Sequence, residues 1–312
     1  MGTAPDDVIE WLLAGDPAVA WQTLDALTAA GVDEVDALRR RVESQGWGAR
    51  LLAAQDEDGR WAGALYSPKW TSTTYTLLLL ERLGLPGDNR QARRGCSVVW
   101  EGAHTFDGGL NLARSIWMAE TCITGMLVLL AARFGQLDER VDAAVGFLLD
   151  QQLDDGGWNC ESLRSGSSHG SFHTSITALE ALEAYAVAGG SIDVRGASGR
   201  GREFFLEHHL YRSHRTGELV DPAFARFPFP PQWHFDVMRG LEHFARVGAS
   251  VDVRLEPAVA VVRRARMADG RWPRHRGHPG REWFRMEEPG PSRWATMRAL
   301  RVLGWWDEGT AQ

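Results

Sequence analysis

The feature of this sequence that most constrains its fold is a short glycine-containing turn that recurs about every 50 residues. Each copy combines an acidic residue, one or two glycines and a large apolar residue, as in residues 55–61 (QDEDGRW), 106–110 (FDGGL), 151–158 (QQLDDGGW) and 267–272 (MADGRW). A degenerate copy at 215–221 (RTGELVD) divides the longer last interval into two. A repeat of this length predicts a fold made by packing one supersecondary unit against copies of itself.

Predicted helices flank each turn, an amphipathic one before it and a more uniformly apolar one after it. The apolar segments begin at Trp70, Glu120, Ser171, Gln232 and Pro291. Glycines that are typical of helix ends follow four of these segments, namely Gly84, Gly135, Gly248 and Gly304. Alternating runs of Val, Ile and Thr, which would indicate strands, are absent. We therefore predict an all-α chain.

One more helix of the apolar kind is predicted for residues 16–31, where Asp16 and Pro17 provide a start signal. Five full units and this helix suit a closed or nearly closed ring, which is an α/α toroid of about five to six helix pairs. We expect a single domain over residues 1–312, with a helical entry at 1–35 and the repeats at 36–306.

Composition excludes several classes of function. The chain has 312 residues and a formal net charge of −7, and it has no basic footprint that would favour nucleic acid as a partner. Its three cysteines are widely spaced, do not form a disulfide framework, and indicate a reducing, cytoplasmic location. No apolar run approaches the roughly 20 residues of a membrane-spanning helix.

The starts of two apolar segments carry candidate metal ligands. Glu120 and Cys122 open one segment and His173 opens another, and helices that alternate in direction would bring both starts to one side of the ring. Carboxylate, thiolate and imidazole are zinc ligands, and three of them leave the open position of a catalytic zinc. The alternative is structural, with Cys122 as a small buried side chain, Glu120 as a helix-start acid and His173 as a capping or core residue.

Residues 147–158 (FLLDQQLDDGGW) resemble the QW repeat of squalene and oxidosqualene cyclases, with an apolar stretch, a glutamine, two glycines and a tryptophan. Gln55 and Trp61 belong to a second copy, and the resemblance extends over residues 46–306. The superfamily also includes the β subunits of protein prenyltransferases. The resemblance implies an α/α toroid whose inner helices surround a deep apolar cavity, and hence an isoprenoid or similarly apolar ligand.

The prenyltransferase β subunits are similar at the candidate metal ligands. They have an acid-x-Cys and a His-Thr at matching helix starts, which hold a catalytic zinc, and Glu120, Cys122 and His173 occupy these places here. The acid is Glu instead of Asp, and the lysine- and arginine-rich diphosphate patch of that family is not evident. Cys160, in GGWNC, is a further candidate ligand. The DxDD motif with which class II terpene cyclases protonate their substrate is absent.

Other polar and aromatic residues fall at a similar level of the predicted helices. His234 is a candidate base or fourth metal ligand, and Asp236 is a candidate to orient it. Candidate ligand-binding residues are Trp70, Trp117, Phe172, Trp233, Phe235, Arg293 and Trp294. The alternative for all of them is a role as helix caps and core. The loop at 271–294 is predicted to be either a lid over the cavity or a solvated connector.

These observations lead to three hypotheses for a bacterial, cytoplasmic protein. The first is a zinc-dependent, prenyltransferase-like or cyclase-like enzyme that binds an isoprenoid or other apolar small molecule in its central cavity. The second is a non-catalytic toroid that binds a ligand or a protein partner. The third is a metal-independent terpenoid cyclase, which needs an acid at the cavity floor that the sequence does not display.

Overall fold

The computed structural model describes residues 5–113 and 116–311. Within these ranges the chain forms fourteen α-helices and one two-stranded antiparallel sheet, so the predicted all-α class is confirmed. In chain order the elements are α1 (Asp6–Leu13), α2 (Pro17–Leu27), α3 (Val32–Arg40), α4 (Gly46–Leu52), α5 (Thr73–Arg82), α6 (Arg90–Glu101), β1 (His104–Phe106), β2 (Gly109–Asn111), α7 (Thr121–Arg133), α8 (Glu139–Asp150), α9 (Glu161–Ser165), α10 (Phe172–Val187), α11 (Arg195–Glu207), α12 (Val237–Arg246), α13 (Glu256–Arg264) and α14 (Arg293–Thr310). None of the helices in the described ranges has both the length and the apolar character needed to cross a membrane.

Six helices form an inner ring, and the other helices pack around it. The inner helices are α2, α5, α7, α10, α12 and α14. Eleven of the thirteen residues of α7 are buried, because this helix is covered on all sides. Only five of the twelve residues of the outer helix α6 are buried. This difference explains the alternation of uniformly apolar and amphipathic segments in the sequence.

Contacts between neighbouring inner helices close the ring. The indole of Trp21 on α2 donates to the carbonyl of Leu83, just after α5, at 2.9 Å. On the other side of α2, Gln22 accepts a hydrogen bond from Arg301 of α14 at 3.3 Å. Ion pairs join three further junctions, Glu81 with Arg133, Glu180 with Arg239, and Glu242 with Arg298. The predicted α/α toroid therefore has six inner helices within the described residues.

The repeated turns join outer to inner helices through the same set of hydrogen bonds. Their glycines Gly59, Gly108, Gly156 and Gly270 all adopt φ values between 81° and 88°, a region that glycine enters without steric cost. The turn tryptophans Trp61, Trp158 and Trp272 each donate the indole N–H to the carbonyl ten residues earlier. Their backbone amides donate to hydroxyl groups of the next inner helix, on Thr73, Ser175 and Thr296.

Some element boundaries differ from the prediction. Gly304 does not end the last helix, since α14 continues to Thr310. The segment from Gln232 becomes helical only at Val237, because the side chain of Asp236 caps that helix by accepting the amide of Arg239 at 2.9 Å. The hairpin of β1 and β2 was not predicted, since three-residue strands are too short to show an alternating pattern.

Candidate functional site

Residues of all six inner helices line a cavity of about 660 Å³, mostly from the C-terminal halves of these helices, although α14 contributes from its first turn onward. This volume lies within the roughly 300–1,000 Å³ of typical small-molecule sites. Aromatic side chains on its wall are Trp21, Phe134, Phe229, Trp294 and Trp305. The rings of Phe229 and Trp294 stack with their centroids 3.9 Å apart. Eleven of the 23 lining residues are charged, so this is not the uniformly apolar cavity that the resemblance implies.

Glu180 of α10 is the first of two buried carboxylates at this cavity. It accepts two hydrogen bonds from Arg239 of α12, at 2.7 and 2.9 Å, and pairs with Arg82 of α5 at 3.3 Å. Burial alone would raise the pKa of Glu180, but Arg239 and Arg82 hold it well below its usual range. The carboxylate is therefore ionised at neutral pH and ties three inner helices together.

Glu242 of α12 is the second buried carboxylate. The Nε of Arg298 donates to it at 2.7 Å, and Arg301 pairs with its other oxygen. Burial would raise its pKa, but these two guanidinium groups lower it to about 2. Arg298 is only 3% exposed, and its Nη1 has no hydrogen-bond partner in the described part of the chain.

Two of the predicted metal ligands lie at the other end of the ring. Glu120 directly precedes α7, and its carboxylate pairs with Arg164 of α9. The amide nitrogen of Cys122 is 3.2 Å from the Sγ of Cys160, to which the hydroxyl of Thr174 also donates at 3.5 Å. Hydrogen bonding by Cys122 and Thr174 lowers the pKa of Cys160, whereas the bond to Cys160 and burial raise the pKa of Cys122.

The third predicted ligand, His173, belongs to a cluster of histidines. Its Nδ1 accepts the backbone amide of Phe235 at 2.8 Å, and its ring lies edge-on to His234 with centroids 5.7 Å apart. His234 stacks on His278 at 3.6 Å and on Trp233 at 3.9 Å. Burial lowers the pKa of His173 to about 4, and burial with the neighbouring imidazoles lowers that of His234 to about 3. Both rings are neutral at pH 7.

No group of three His, Cys, Asp or Glu side chains is placed to hold a metal ion among the residues that the structure describes. Glu120 is engaged by Arg164, and the Nδ1 of His173 by a backbone amide. The thiol next to Cys122 is that of Cys160, the further candidate ligand. The residues as arranged do not fit a three-ligand zinc site, and zinc at Glu120, Cys122 and His173 stays a prediction.

The predicted catalytic pair is also separated by its contacts. The carboxylate of Asp236 accepts the amide of Arg239, whereas His234 stacks on His278. Burial raises the pKa of Asp236 to about 6, although the nearby Arg298 acts in the opposite direction. Asp236 therefore serves as a helix cap, and no hydrogen bond by which it would orient His234 is formed within the described residues.

The loop predicted as a lid packs on the end of the ring where the histidines lie. Within residues 273–291, the backbone carbonyl of Arg281 accepts a hydrogen bond from the amide of Trp70 at 3.1 Å. The indole of Trp283 donates to a threonine hydroxyl of α5 at 3.0 Å. A smaller cavity of about 80 Å³ remains beneath it. Phe229 lines both cavities and therefore lies between them.

Three of the seven predicted ligand-binding side chains lie at a cavity or beside the histidine cluster, and the other four do not. Trp294 lines the larger cavity and Trp70 the smaller one, and Trp233 stands beside the histidine cluster. The others line neither cavity: Phe172 and Phe235 pack in an aromatic cluster with Phe205 of α11, Arg293 donates to the backbone of Trp11, and Trp117 is 77% exposed.

The arginines of the larger cavity were missed by sequence reasoning, although a signal was present. Three inner helices end in Arg-x-Gly, at residues 82–84, 133–135 and 246–248. The arginines of all three copies line the cavity. A cation in the last helical turn complements the helix dipole, so each copy also has a local explanation. Their repetition at the same position of three inner helices predicts that they converge.

Together, the ring and its lumen define an α/α-toroid protein with a partly aromatic, partly charged cavity. Neither a protein-family profile nor the sequence of a curated protein matches this chain. Among solved structures it is similar to type II terpene cyclase MstE from Scytonema. A variant with the product merosterolic acid A has a TM-score of 0.34 and 15% identity, over 86% of this chain and 96% of that one. The apo enzyme has a TM-score of 0.34 and 13% identity, over 88% and 98%.

A second variant of the same cyclase, in complex with the substrate geranylgeranyl dihydroxybenzoate, has a TM-score of 0.34 and 12% identity, over 88% of this chain and 97% of that one. The similarity is one of helical architecture and carries no information on particular side chains.

Proposed function

We propose that this chain is a terpenoid-cyclase-like toroid that binds an isoprenoid or a similarly apolar small molecule inside its ring. The cavity of about 660 Å³ between the inner helices is the observation that most supports the proposal. Aromatic rings offer flat apolar faces, which suit a branched chain with double bonds. The stacked rings of Phe229 and Trp294 form an aromatic part of the cavity wall.

A non-catalytic ligand-binding toroid is the second candidate. It is favoured by the packed loop at residues 273–291 and by the contacts that engage Glu120 and His173. The two candidates differ in turnover: an enzyme releases a changed isoprenoid, whereas a binding protein returns the same molecule. Mass spectrometry of the extracted ligand after incubation distinguishes them.

Zinc at Glu120, Cys122 and His173 is part of the enzymatic proposal and is tested by metal analysis. A zinc enzyme of this kind retains stoichiometric zinc in the wild type and loses it in Cys122→Ser and His173→Ala. Cys96→Ser is the matched control, because Cys96 is buried on α6. Wild-type protein that stays free of zinc after zinc is supplied would leave the metal-independent forms of the proposal.

The lumen proposal is tested at Gly304, which lines the cavity and where an added Cβ would meet no atom within 4 Å. Gly304→Leu adds a side chain at the cavity where its Cβ has room, and leucine also favours the helix by roughly 0.5–1 kcal/mol over glycine. We expect geranylgeraniol, followed by tryptophan fluorescence, to bind this variant roughly tenfold or more weakly than the wild type.

Gly146 on the outer helix α8 provides the control, since its Cβ position is equally open and it does not line the cavity. Gly146→Leu is expected to bind geranylgeraniol as the wild type does. Equal affinity in all three proteins would show that the ligand does not occupy the lumen.

A further inference from the structure

Carboxylates and guanidinium groups at the larger cavity are not paired one to one. Two glutamates, Glu180 and Glu242, are shared by five arginines, Arg82, Arg239, Arg246, Arg298 and Arg301. The other carboxylates nearby have their own roles: Glu81 pairs with Arg133, Asp236 caps α12, and Asp25 and Glu308 are exposed at the cavity edge. Some guanidinium donors therefore share an acceptor or have none, and a buried donor without an acceptor needs one from elsewhere to compensate it.

Arg298 shows where the compensation is missing. Its Nε and Nη2 both face Glu242, whereas its Nη1 is buried and has no hydrogen-bond partner across the described ranges. A buried donor without an acceptor costs about 1–3 kcal/mol. Arg298 also lines the cavity. Its Nη1 is shielded in this conformation, so an acceptor in the cavity meets this donor when the guanidinium group turns toward it.

Two further arginines, Arg246 and Arg301, line the same cavity. Arg246 approaches Glu180 only to 3.9 Å, and its side chain is 41% exposed. Arg301 shares Glu242 with Arg298 and also lines the cavity. A guanidinium group presents a planar fork of donors that matches a carboxylate or a phosphate.

The helix dipole does not account for this arrangement. It explains arginines in the last turn of α5, α7 and α12, but Arg298 lies in the first half of α14, twelve residues before Thr310. The side chain is also too deeply buried for a solvated cation, at 3% exposure.

We infer that the larger cavity holds an anionic group of its ligand, a carboxylate or a phosphate, bound by Arg298 together with Arg246 and Arg301. The inference rests on the proposed lumen function for its location and adds the chemical class of the ligand, an amphipathic anion. Phe229 and Trp294 line the same cavity, and their stacked rings provide an apolar wall for the rest of the ligand.

The test uses small anions without any isoprenoid. Wild-type protein is titrated by calorimetry with inorganic phosphate, diphosphate and hexanoate at fixed ionic strength. Arg298→Lys keeps a cation next to Glu242 but loses the free Nη1 donor, and Arg246→Gln removes the arginine with the weakest internal pairing. Arg263→Gln is the control, since Arg263 pairs with Asp307 on the outside and does not line the cavity.

We expect at least one of the three anions to bind the wild type, with affinity lowered roughly tenfold or more in both cavity variants and unchanged in Arg263→Gln. Binding of hexanoate alone identifies a carboxylate ligand, and binding of the phosphates alone identifies a phosphorylated one. If Arg298→Lys melts well below the wild type, Arg246→Gln carries the comparison, because it disturbs only a 3.9 Å pair.

Absence of anion binding to the wild type, or equal binding to all four proteins, would overturn the inference. The outcome is separable from that of the proposed function. Anion binding without geranylgeraniol binding supports the inference and contradicts binding of an uncharged isoprenoid, whereas geranylgeraniol binding without any anion binding overturns the inference alone.

Discussion

At the scale of single residues, His243 is the least compensated polar side chain in the core. It lies on α12 with 1% exposure, and neither ring nitrogen has a hydrogen-bond partner within the described residues. Burial and the nearby Arg246 lower its pKa from 6.5 to about 3. The unfolded chain therefore takes up this proton first as the pH falls, so the stability is full above about pH 6.5 and declines below it.

We predict that His243→Leu flattens this decline. Each pH unit between about 6 and 4 removes roughly 1.4 kcal/mol from the unfolding free energy for one such histidine. The variant loses that contribution, while the pH dependence due to the other buried histidines, His173 and His234, remains. Urea unfolding at several pH values measures the difference.

The matched control for this prediction is His104→Leu, because His104 is exposed on β1. It is expected to keep the slope of the wild type. An identical acid response in His243→Leu and the wild type would mean that His243 is protonated or hydrated in the folded chain.

At the scale of elements, the most specific link of the repeat is a hydrogen bond. In it, the amide of the turn tryptophan donates to a hydroxyl group of the next inner helix. The amide of Trp272 donates to the hydroxyl of Thr296 at 3.0 Å, and both residues are fully buried. The equivalent acceptor in the third repeat is Ser175, which bonds the amide of Trp158 at 2.8 Å. Removing such an acceptor leaves a buried amide without a partner.

Thr296→Val is therefore expected to lower the unfolding free energy by about 1–3 kcal/mol, although it preserves the shape of the side chain. Thr23→Val is the control, since Thr23 is equally buried but only donates to the Val19 carbonyl in its own helix at 2.8 Å. We expect it to cost less than half as much in denaturant unfolding. Equal losses of unfolding free energy in the two variants would show that the effect comes from replacing a buried hydroxyl group by a methyl group, and not from the lost hydrogen bond to the turn.

The elements were predictable because their signals are local and repeated. Turn glycines, the glutamine and tryptophan of residues 151–158, and apolar segments that start after Ser and Pro define the helix pairs without knowledge of their packing. Errors arose where a tertiary contact decides the outcome. Gly304 stays helical although its residue type favours a helix end, and Asp236 delays the start of α12.

The site was less predictable because its contacts join distant parts of the chain. Arg298 meets Glu242 across 56 residues, and Cys122 meets Cys160 across 38. Spacing does not reveal which side chain of an inner helix faces a partner and which faces the lumen. The sequence placed candidate residues at one end of the ring, whereas the larger cavity lies at the other end, where Arg-x-Gly recurs.

At the scale of the whole molecule, the two ends of the ring differ in character. One end carries the histidine cluster and the packed loop of residues 273–291, and little free volume remains there. The other end opens into the cavity of aromatic and arginine side chains. A ligand with an apolar part and an anionic end matches this second end in both chemistry and size.

The most direct test of this account is a crystal structure of the protein with geranylgeranyl phosphate bound. The account predicts density for the prenyl chain inside the ring against Trp294, with phosphate oxygens within hydrogen-bond distance of the Nη1 of Arg298. Density for the ligand at the lid end beside His173 and His234, or on the outer surface of the ring, would contradict it.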